Sequence, residues 1–354
     1  MVLSGRNEFR FFGIMRLAPE GRNGKVDKEL KMNITRRSFV GFGAMSALAG
    51  CRCPFICGDC DRSNYDGVRI GAITYSFRTM KSGALNVLGY AVKAGLGSVE
   101  LMCNDAESFA GISNSWPKTP EERAKVLKER LAVPESKWKE LRRLYEDAGV
   151  KVRILKFGSI GGKTISGEEN DYYCRVAHLL GATAITREVP FGNAQVPPGP
   201  GVMPDENLFG EIGRNCAGIA DRNGIDIAFH NHLQINSVSY DSKLLGYSKR
   251  LKINFDIGHY TAANDDDPLA MVRKYRDRIV SIHVKDRTRS VRGRKNLPFG
   301  CGDTPLTGLM ALLKREGWEI PCDIELEYAI PAGSDAVKEV GVCRNYCRNA
   351  VEAC

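Results

Sequence analysis

Residues 251–285 read LKINFDIGHYTAANDDDPLAMVRKYRDRIVSIHVK. They contain two β-type runs rich in Val, Ile and Phe, at 251–257 and 279–285, and Pro268 stands where an intervening helix would begin. Each run carries His, Asp or Lys near its end, and these residue types can do chemistry. We interpret the segment as a strand–helix–strand unit with polar side chains at the carboxyl end of each strand.

The same unit repeats along the chain. Gly149, Gly181 and Gly224 follow amphipathic helical stretches just before β-type runs, as glycines that end helices do. The β-type runs lie at 68–77, 97–102, 150–157, 182–189, 225–231, 251–257, 279–285 and 322–328. Eight βα units from residue 67 onward predict an α/β fold, a single-domain (β/α)8 TIM barrel.

A doubly wound open sheet is the alternative fold. It would not require eight repeats, and it would need a glycine fingerprint after the first strand, where the chain has Ser76-Phe77-Arg78. Residues 158–164 are one residue short of a P-loop, so we interpret them as a loop. The long connection 104–120 is expected to be a loop that covers the barrel mouth as a lid.

Polar side chains concentrate at the predicted strand ends, where the active site of a TIM barrel lies. The set comprises Glu100, Lys156, Glu188, His230, His232, Asp256, His259, His283, Lys285, Asp286, Glu325 and Glu327, and it includes four of the five histidines in the chain. His, Asp and Glu that converge from adjacent strands are typical of a divalent-metal site. Consecutive strands 5 to 8 supply the candidate ligands His230, Asp256, His283 and Glu325. A strand-end His or Asp can alternatively serve to cap the following helix.

Five motifs, in order, resemble those of the sugar-phosphate isomerase/epimerase superfamily of xylose-isomerase-like barrels. They are FHNH at 229–232, NFDIGH at 254–259, SIHVKD at 281–286, GCGDTP at 300–305 and DIELEY at 323–328. The resemblance spans residues 68–350. It implies that Asp256, His283 and Glu325 bind a metal, that Glu100 and His259 contact substrate, and that the loop 300–302 closes on the sugar. The His-Asn-His motif is similar to that of an often exported branch.

One position departs from this resemblance. The epimerases have Glu at the end of strand 5, where this chain has His230. A neutral imidazole can still bind a metal, but it changes both the charge and the basicity of the site. His230 therefore favours an isomerase or lyase reaction over an epimerisation that uses two Glu residues symmetrically.

We expect a metal-dependent isomerase or epimerase that takes a proton from the carbon next to a metal-chelated sugar carbonyl. The ion would be Mn, Mg, Co or Zn. The candidate catalytic residues are Glu325, His232, Glu188 and Lys156. The candidate substrate-binding residues are Glu100, His259, Lys285 and Glu327. The alternatives are a sugar lyase or dehydratase on the same site and a non-catalytic sugar-binding barrel.

The N-terminal segment is typical of an export signal. Thr-Arg-Arg-Ser-Phe-Val at 35–40 precedes a short Gly/Ala-rich stretch, which predicts a twin-arginine signal over 32–51. Met32 would then be the true start and 1–31 a mis-called extension. The LAGC sequence that ends at Cys51 resembles a lipobox, so the product would be periplasmic or lipid-anchored. Residues 52–66 would form a Cys-rich tether before the barrel at 67–354.

Charge argues against a nucleic-acid partner. The formal net charge is +9, and residues 1–60 hold ten Lys or Arg against five Asp or Glu, so the barrel is near neutral. The ends of strands 2 and 3 also lack the additional His ligands of a three-zinc endonuclease. The expected partner is a small carbohydrate, with a membrane contact only through a lipid at Cys51. The sequence does not decide between a monomer and a homo-oligomer.

Two further sequence features bear on chemistry. Sugar phosphates are mainly cytoplasmic, so export favours a free or oxidised sugar, a glycoside or a polyol as substrate. A basic run after strand 7 is either a solvated loop or a binding site for a phosphate or uronate, and it comprises Arg287, Arg289, Arg292, Arg294 and Lys295.

Four cysteines in apolar stretches are expected in the core, namely Cys103, Cys174, Cys216 and Cys322.

Overall fold

The computed structural model describes residues 62–112, 114–189, 206–235 and 240–354. All eight predicted strands are confirmed, and they are β1 (Val68–Ile73), β2 (Ser98–Met102), β3 (Lys151–Lys156), β4 (Ala184–Glu188), β5 (Asp226–His230), β6 (Leu251–Asp256), β7 (Ile279–Val284) and β8 (Cys322–Ile324). They are parallel and follow chain order, with β1 paired to both β2 and β8. This pairing closes the sheet, so the TIM-barrel prediction is confirmed.

Helices surround the barrel in the described part of the chain. They are α1 (Ala84–Lys93), α2 (Cys103–Phe109), α3 (Pro120–Ala132), α4 (Glu135–Asp147), α5 (Gly167–Leu180), α6 (Glu206–Asn223), α7 (Ile257–Ala263), α8 (Pro268–Tyr275), α9 (Leu306–Glu316) and α10 (Ala336–Glu352). Short antiparallel pairs join Asn64–Tyr65 to β1 and Asp286–Arg287 to Asn296–Leu297. None of these helices is long and apolar enough to cross a membrane.

The helix ends follow the signals in the sequence. Gly149, Gly181 and Gly224 all have positive φ, at 68°, 81° and 66°, a conformation that glycine adopts without steric cost. Pro268 occupies the first turn of α8, where a missing N–H costs nothing. At the start of α3, Thr119 and Glu122 form a capping box. The strand–helix alternation is therefore encoded locally.

β1 and β8 end several residues earlier than predicted. β1 stops at Ile73 because Thr74–Phe77 form a 3-10 turn. Within that turn, the Ser76 hydroxyl donates to the carbonyl of Ile324 and accepts from the N–H of Leu326, both near 3 Å. The Ser76 side chain thus takes the place of the backbone hydrogen bonds that a longer pairing of β1 with β8 would make at Ile324 and Leu326. Glu325 and Glu327 consequently lie just after β8.

The packed part of the chain already includes residues 62–66. Ser63 is buried, its hydroxyl donates to Ile70 O at 2.5 Å, and it accepts the Gly97 N–H at 2.8 Å. The four scattered cysteines predicted for the core are buried there, with free thiols. The expectations for an N-terminal extension, signal, lipobox and most of the tether concern residues 1–61, which lie outside the described residues.

The connection 104–120 is not the free lid predicted from its length. Its first part is helical, as α2, and it is held by a buried ion cluster. The Arg130 guanidinium of α3 donates to Glu107 at 2.7 Å, to Glu169 at 2.6 Å and to the backbone carbonyl of Ser115 at 3.0 Å. Both Arg130 and Glu107 are only 1% exposed, so the cluster pins this connection to α3 and α5.

We predict that Arg130→Met destabilises the fold by about 3–5 kcal/mol, because it leaves the buried carboxylates of Glu107 and Glu169 without their cation. Arg143→Met is the matched control. Arg143 is exposed and lies 3.9 Å from Asp147, so its loss should change the free energy of unfolding by less than about 0.5 kcal/mol. Equal urea-unfolding midpoints for the two variants would contradict the assigned role of Arg130.

Candidate metal centre

Four side chains converge at the carboxyl end of the barrel. Side chains along a strand alternate between its faces, and each of these points inward. Their donor atoms all lie within 4.8 Å of one another, and the residues are His230, Asp256, His283 and Glu325. All four are buried. Two neighbouring groups of donors, which bring in His232, His259 and Glu327, overlap with this set.

Two carboxylates, those of Glu100 and Glu325, fix the orientation of the His283 ring. Its Nε2 lies 2.8 Å from Glu100 Oε2 and its Nδ1 lies 3.1 Å from Glu325 Oε2. Burial acts to lower the pKa of His283, but Glu100 and Glu325 hold it well above its usual value. If Nε2 keeps its proton toward Glu100, Nδ1 is the atom that can bind an ion beside Glu325. A carboxylate behind a histidine is the usual support for a metal ligand.

His230 is held by an amide instead. Its Nδ1 lies 2.6 Å from Asn254 Oδ1, so a proton on Nδ1 leaves Nε2 as the donor atom. Burial, with the positive charge of Lys156, keeps the pKa of His230 well below its usual value, and the ring is neutral as a metal ligand must be. Asn254 in turn donates to Ser281 Oγ at 2.5 Å.

A polar layer therefore lies one inward-facing position before the candidate ligands. Glu100, expected to contact substrate, belongs to this layer: it is fully buried and accepts from Thr186 Oγ1 at 2.5 Å and Asn254 Nδ2 at 3.2 Å. Sequence reasoning missed Asn254, Thr186 and Ser281. The available signal was their position, two residues before a predicted site residue on the same face of each strand.

Asp256 supplies an oxygen suited to an ion. Its Oδ1 accepts the N–H of His259 at 2.7 Å, which caps α7. Its Oδ2 is also buried, and Lys285 Nζ lies 3.0 Å from it. Burial raises the pKa of Asp256 to about 7. A buried carboxylate oxygen that faces two imidazoles and a second carboxylate fits a divalent cation, so the residue that caps α7 could also serve as the metal ligand predicted from the sequence.

Lys285 brings a positive charge into the same centre. Its Nζ lies 3.0 Å from Asp256 Oδ2, 2.7 Å from Glu325 Oε2 and 2.8 Å from Glu327 Oε2. The carboxylates raise the pKa of Lys285 even though burial acts to lower it. Gly258 makes this packing possible, since a Cβ there would lie 2.3 Å from Lys285 Cγ. An incoming ion must share two carboxylates with this ammonium.

A second group flanks the centre on the β3–β5 side. Lys156 Nζ lies 2.6 Å from Glu188 Oε1, and Glu188 Oε2 lies 3.5 Å from His232 Nε2. Burial, acting with Lys285 and against Glu188, lowers the pKa of His232, so this partly exposed ring is neutral. The rings of His232 and His259 are 4.7 Å apart between centroids. The structure thus brings together the predicted residues Lys156, Glu188 and His232.

The loop expected to close on a sugar is anchored to Asp286. Backbone N–H groups of Gly300, Gly302 and Thr304 donate to the Asp286 carboxylate at 2.8, 2.9 and 3.2 Å. A Cβ on Gly302 would lie 2.1 Å from Asp286 Oδ1, so this close approach requires glycine. Asp286 therefore holds the loop in place beside the barrel mouth.

The chain belongs to the xylose isomerase-like TIM-barrel family, because the model of that family matches residues 88–346. The fold is similar to that of the probable 3-DHS dehydratase AsbF from Bacillus anthracis, at 14% identity and TM-score 0.57, over 78% of this chain and 98% of that one. It is also similar to the 3-keto-D-glucoside 4-epimerase YcjR from E. coli, at 12% identity and TM-score 0.54, over 80% and 99%.

A third similar structure is that of the IolI protein with a bound zinc atom, at 13% identity and TM-score 0.57, over 81% of this chain and 99% of that one. A search of curated proteins finds no match. At these identities the solved structures establish the fold, while the chemistry has to be inferred from the residues themselves.

We predict that Asp256→Ala and His283→Ala abolish binding of a divalent ion, since each removes one of four convergent donors. His178→Ala is the matched control. His178 is the one histidine away from the barrel mouth, on α5, where its Nε2 contacts the Asn223 carbonyl at 3.0 Å. Elemental analysis of the purified proteins gives the readout, and full metal content in Asp256→Ala and His283→Ala would refute the site.

We also predict that metal binding releases a proton. His283 has a raised pKa and is protonated near neutral pH, and it must lose that proton before Nδ1 can bind an ion. Affinity should therefore rise as pH increases through and above neutrality. Calorimetric titration with Mn²⁺ in buffers of different ionisation enthalpy measures the release. A heat that is independent of the buffer would contradict it.

Proposed function

We propose that this protein is a metal-dependent sugar isomerase or epimerase that moves a proton next to a carbonyl group. The observation that carries the proposal is the buried four-donor centre, flanked on both sides by groups that can accept or donate protons. An ion held by His230, Asp256, His283 and Glu325 would polarise a substrate carbonyl and acidify the neighbouring C–H. Membership of the xylose isomerase-like family supports the same class of chemistry.

Two bases of different kind are available for the proton. The Glu325 carboxylate is one, and Lys285 and His283 hold its pKa well below its usual value although burial acts to raise it. The neutral His232 ring is the other, with Glu188 at 3.5 Å from its Nε2 to orient and stabilise the protonated form. Return of the proton to the adjacent carbon gives isomerisation, and return to the same carbon from the other side gives epimerisation.

The two lysines suit the oxygen atoms of a substrate. Lys285 and Lys156 are both buried beside carboxylates and carry ammonium groups, which donate but do not accept. Each can donate to a carbonyl or hydroxyl oxygen as charge develops on it. His259 and Glu327 adjoin Lys285, at 3.0 and 2.8 Å from its Nζ, and complete a polar wall on that side.

A lyase or dehydratase is the second candidate function. It is favoured by the unlike bases of the site, one carboxylate and one imidazole, and by the two ammonium groups that could donate to a departing oxygen. One solved structure of similar fold is that of a probable dehydratase. A product with a new C=C bond and loss of water or an alcohol would identify this reaction.

We predict that the Mn²⁺-loaded full chain catalyses exchange of a carbon-bound proton of a ketose or sugar acid in deuterated water. Glu325→Gln and His232→Gln should each slow exchange by at least about a hundredfold, because each removes a base. Glu319→Gln is the matched control, since Glu319 is exposed and pairs with Arg69 on the surface. NMR detects the exchange. Binding of sugars without any exchange would indicate a non-catalytic barrel instead.

A further inference from the structure

Arg287 differs from the other cations on the segment after β7. Arg292 is exposed and pairs with Asp303. Arg289 and Arg294 donate to the carbonyls of Asn264 and Ala262, at 2.9 and 3.1 Å, and so fasten the segment to the end of α7. Lys295 is exposed. The other four basic side chains therefore contact solvent, an acid or backbone oxygens.

The guanidinium of Arg287 is buried without an acid. The residue is 8% exposed, and among the described residues no ion pair joins it to an Asp or Glu, although the carboxylates of Asp256 and Glu327 act on it from farther away. Its Nη2 donates to Arg294 O at 2.6 Å, and within the described part of the chain its buried Nε has no acceptor. The neighbouring acid, Asp286, accepts from backbone N–H groups instead. Buried charges are normally paired in direct contact, and this one has no such counterion among the described residues.

The contact between Arg287 and His259 also indicates that an anion is missing beside Arg287. Arg287 Nη1 contacts His259 Nδ1, and Lys285 Nζ lies 3.0 Å from His259 Nε2. A neutral imidazole can accept at one nitrogen only, and an imidazolium can accept at neither. At least one of the two cations therefore faces a ring nitrogen that cannot accept from it. An anion beside the ring would supply the acceptor that is missing.

Arg287 lies close to the candidate metal centre. The His259 ring separates Arg287 from Lys285, and His259 Nε2 lies 3.9 Å from the candidate ligand atom Asp256 Oδ2. The two ring nitrogens of His259 thus contact Arg287 on one side and Lys285, a neighbour of the centre, on the other. This separation of one imidazole ring suits a single sugar with a charged group at its end.

We propose that Arg287 binds an anionic group of the substrate, the carboxylate of a sugar acid or the phosphate of a sugar phosphate. The planar guanidinium offers paired N–H groups that match the oxygens of either anion. The inference rests on the proposed function for the reacting end of the substrate. It narrows the substrate from carbohydrates in general to anionic ones, and it assigns specificity to Arg287 among the five basic residues of the segment.

The test compares three probes, D-fructose, D-glucuronate and D-fructose 6-phosphate, by calorimetric titration of the full chain with Mn²⁺ present. The unaltered protein should bind one anionic probe at least about tenfold more tightly than D-fructose. The tighter probe distinguishes carboxylate from phosphate. Arg287→Gln should remove that preference and leave D-fructose affinity within about twofold. Arg292→Gln is the control, and it should retain the preference because Arg292 already pairs with Asp303.

Arg287→Lys guards against a folding defect in the glutamine variant. It keeps the charge but loses the paired N–H groups, so it should bind the anionic probe at an intermediate affinity. Equal affinity for all three probes, or an unchanged preference in Arg287→Gln, would overturn the inference. Equal binding together with proton exchange would leave the proposed function standing. Failure to bind any sugar would overturn both.

Discussion

The contact on which this site depends is that of His283 with two buried carboxylates. Glu100 lies 2.8 Å from one ring nitrogen and Glu325 lies 3.1 Å from the other, and all three groups are buried. Carboxylates taken out of water are costly unless they are paired, so the ring and the acids hold one another in place. Glu100, His283 and Glu325 form a chain of contacts from the polar interior of the barrel to the candidate metal centre. Because Nε2 of His283 faces Glu100, Nδ1 is the nitrogen that faces an ion.

The remaining charges follow from this arrangement. Glu325 is shared between His283 and Lys285, and Lys285 also reaches Asp256 and Glu327. A divalent cation would take over the carboxylates that the ammonium now holds, so ion binding and the position of Lys285 are coupled. On the opposite side, Glu188 stands between Lys156 and His232. The centre thus has on each side a group that the proposed reaction would use for proton transfer, the Glu325 carboxylate and the His232 imidazole.

The sequence predicts the barrel and the convergence of the four donors, because both follow from local patterns. Strand–helix alternation and the glycines at helix ends are encoded within single units, and the strand ends of a barrel meet at one mouth. The layer of Asn254, Thr186 and Ser281 could not be inferred this way, because such residues resemble ordinary strand residues until the barrel closes. The buried Arg130 cluster was missed for a similar reason: Glu107, Arg130 and Glu169 are far apart in sequence and show no periodicity.

The most direct test of the account is a crystal structure of the protein grown with Mn²⁺ and recorded for anomalous scattering. The account predicts one ion bound by His230, Asp256, His283 and Glu325, with Glu100 still in contact with His283 and the Lys285 ammonium displaced from at least one carboxylate. An ion bound elsewhere, or none at the centre while Lys285 keeps all three carboxylate contacts, would contradict it.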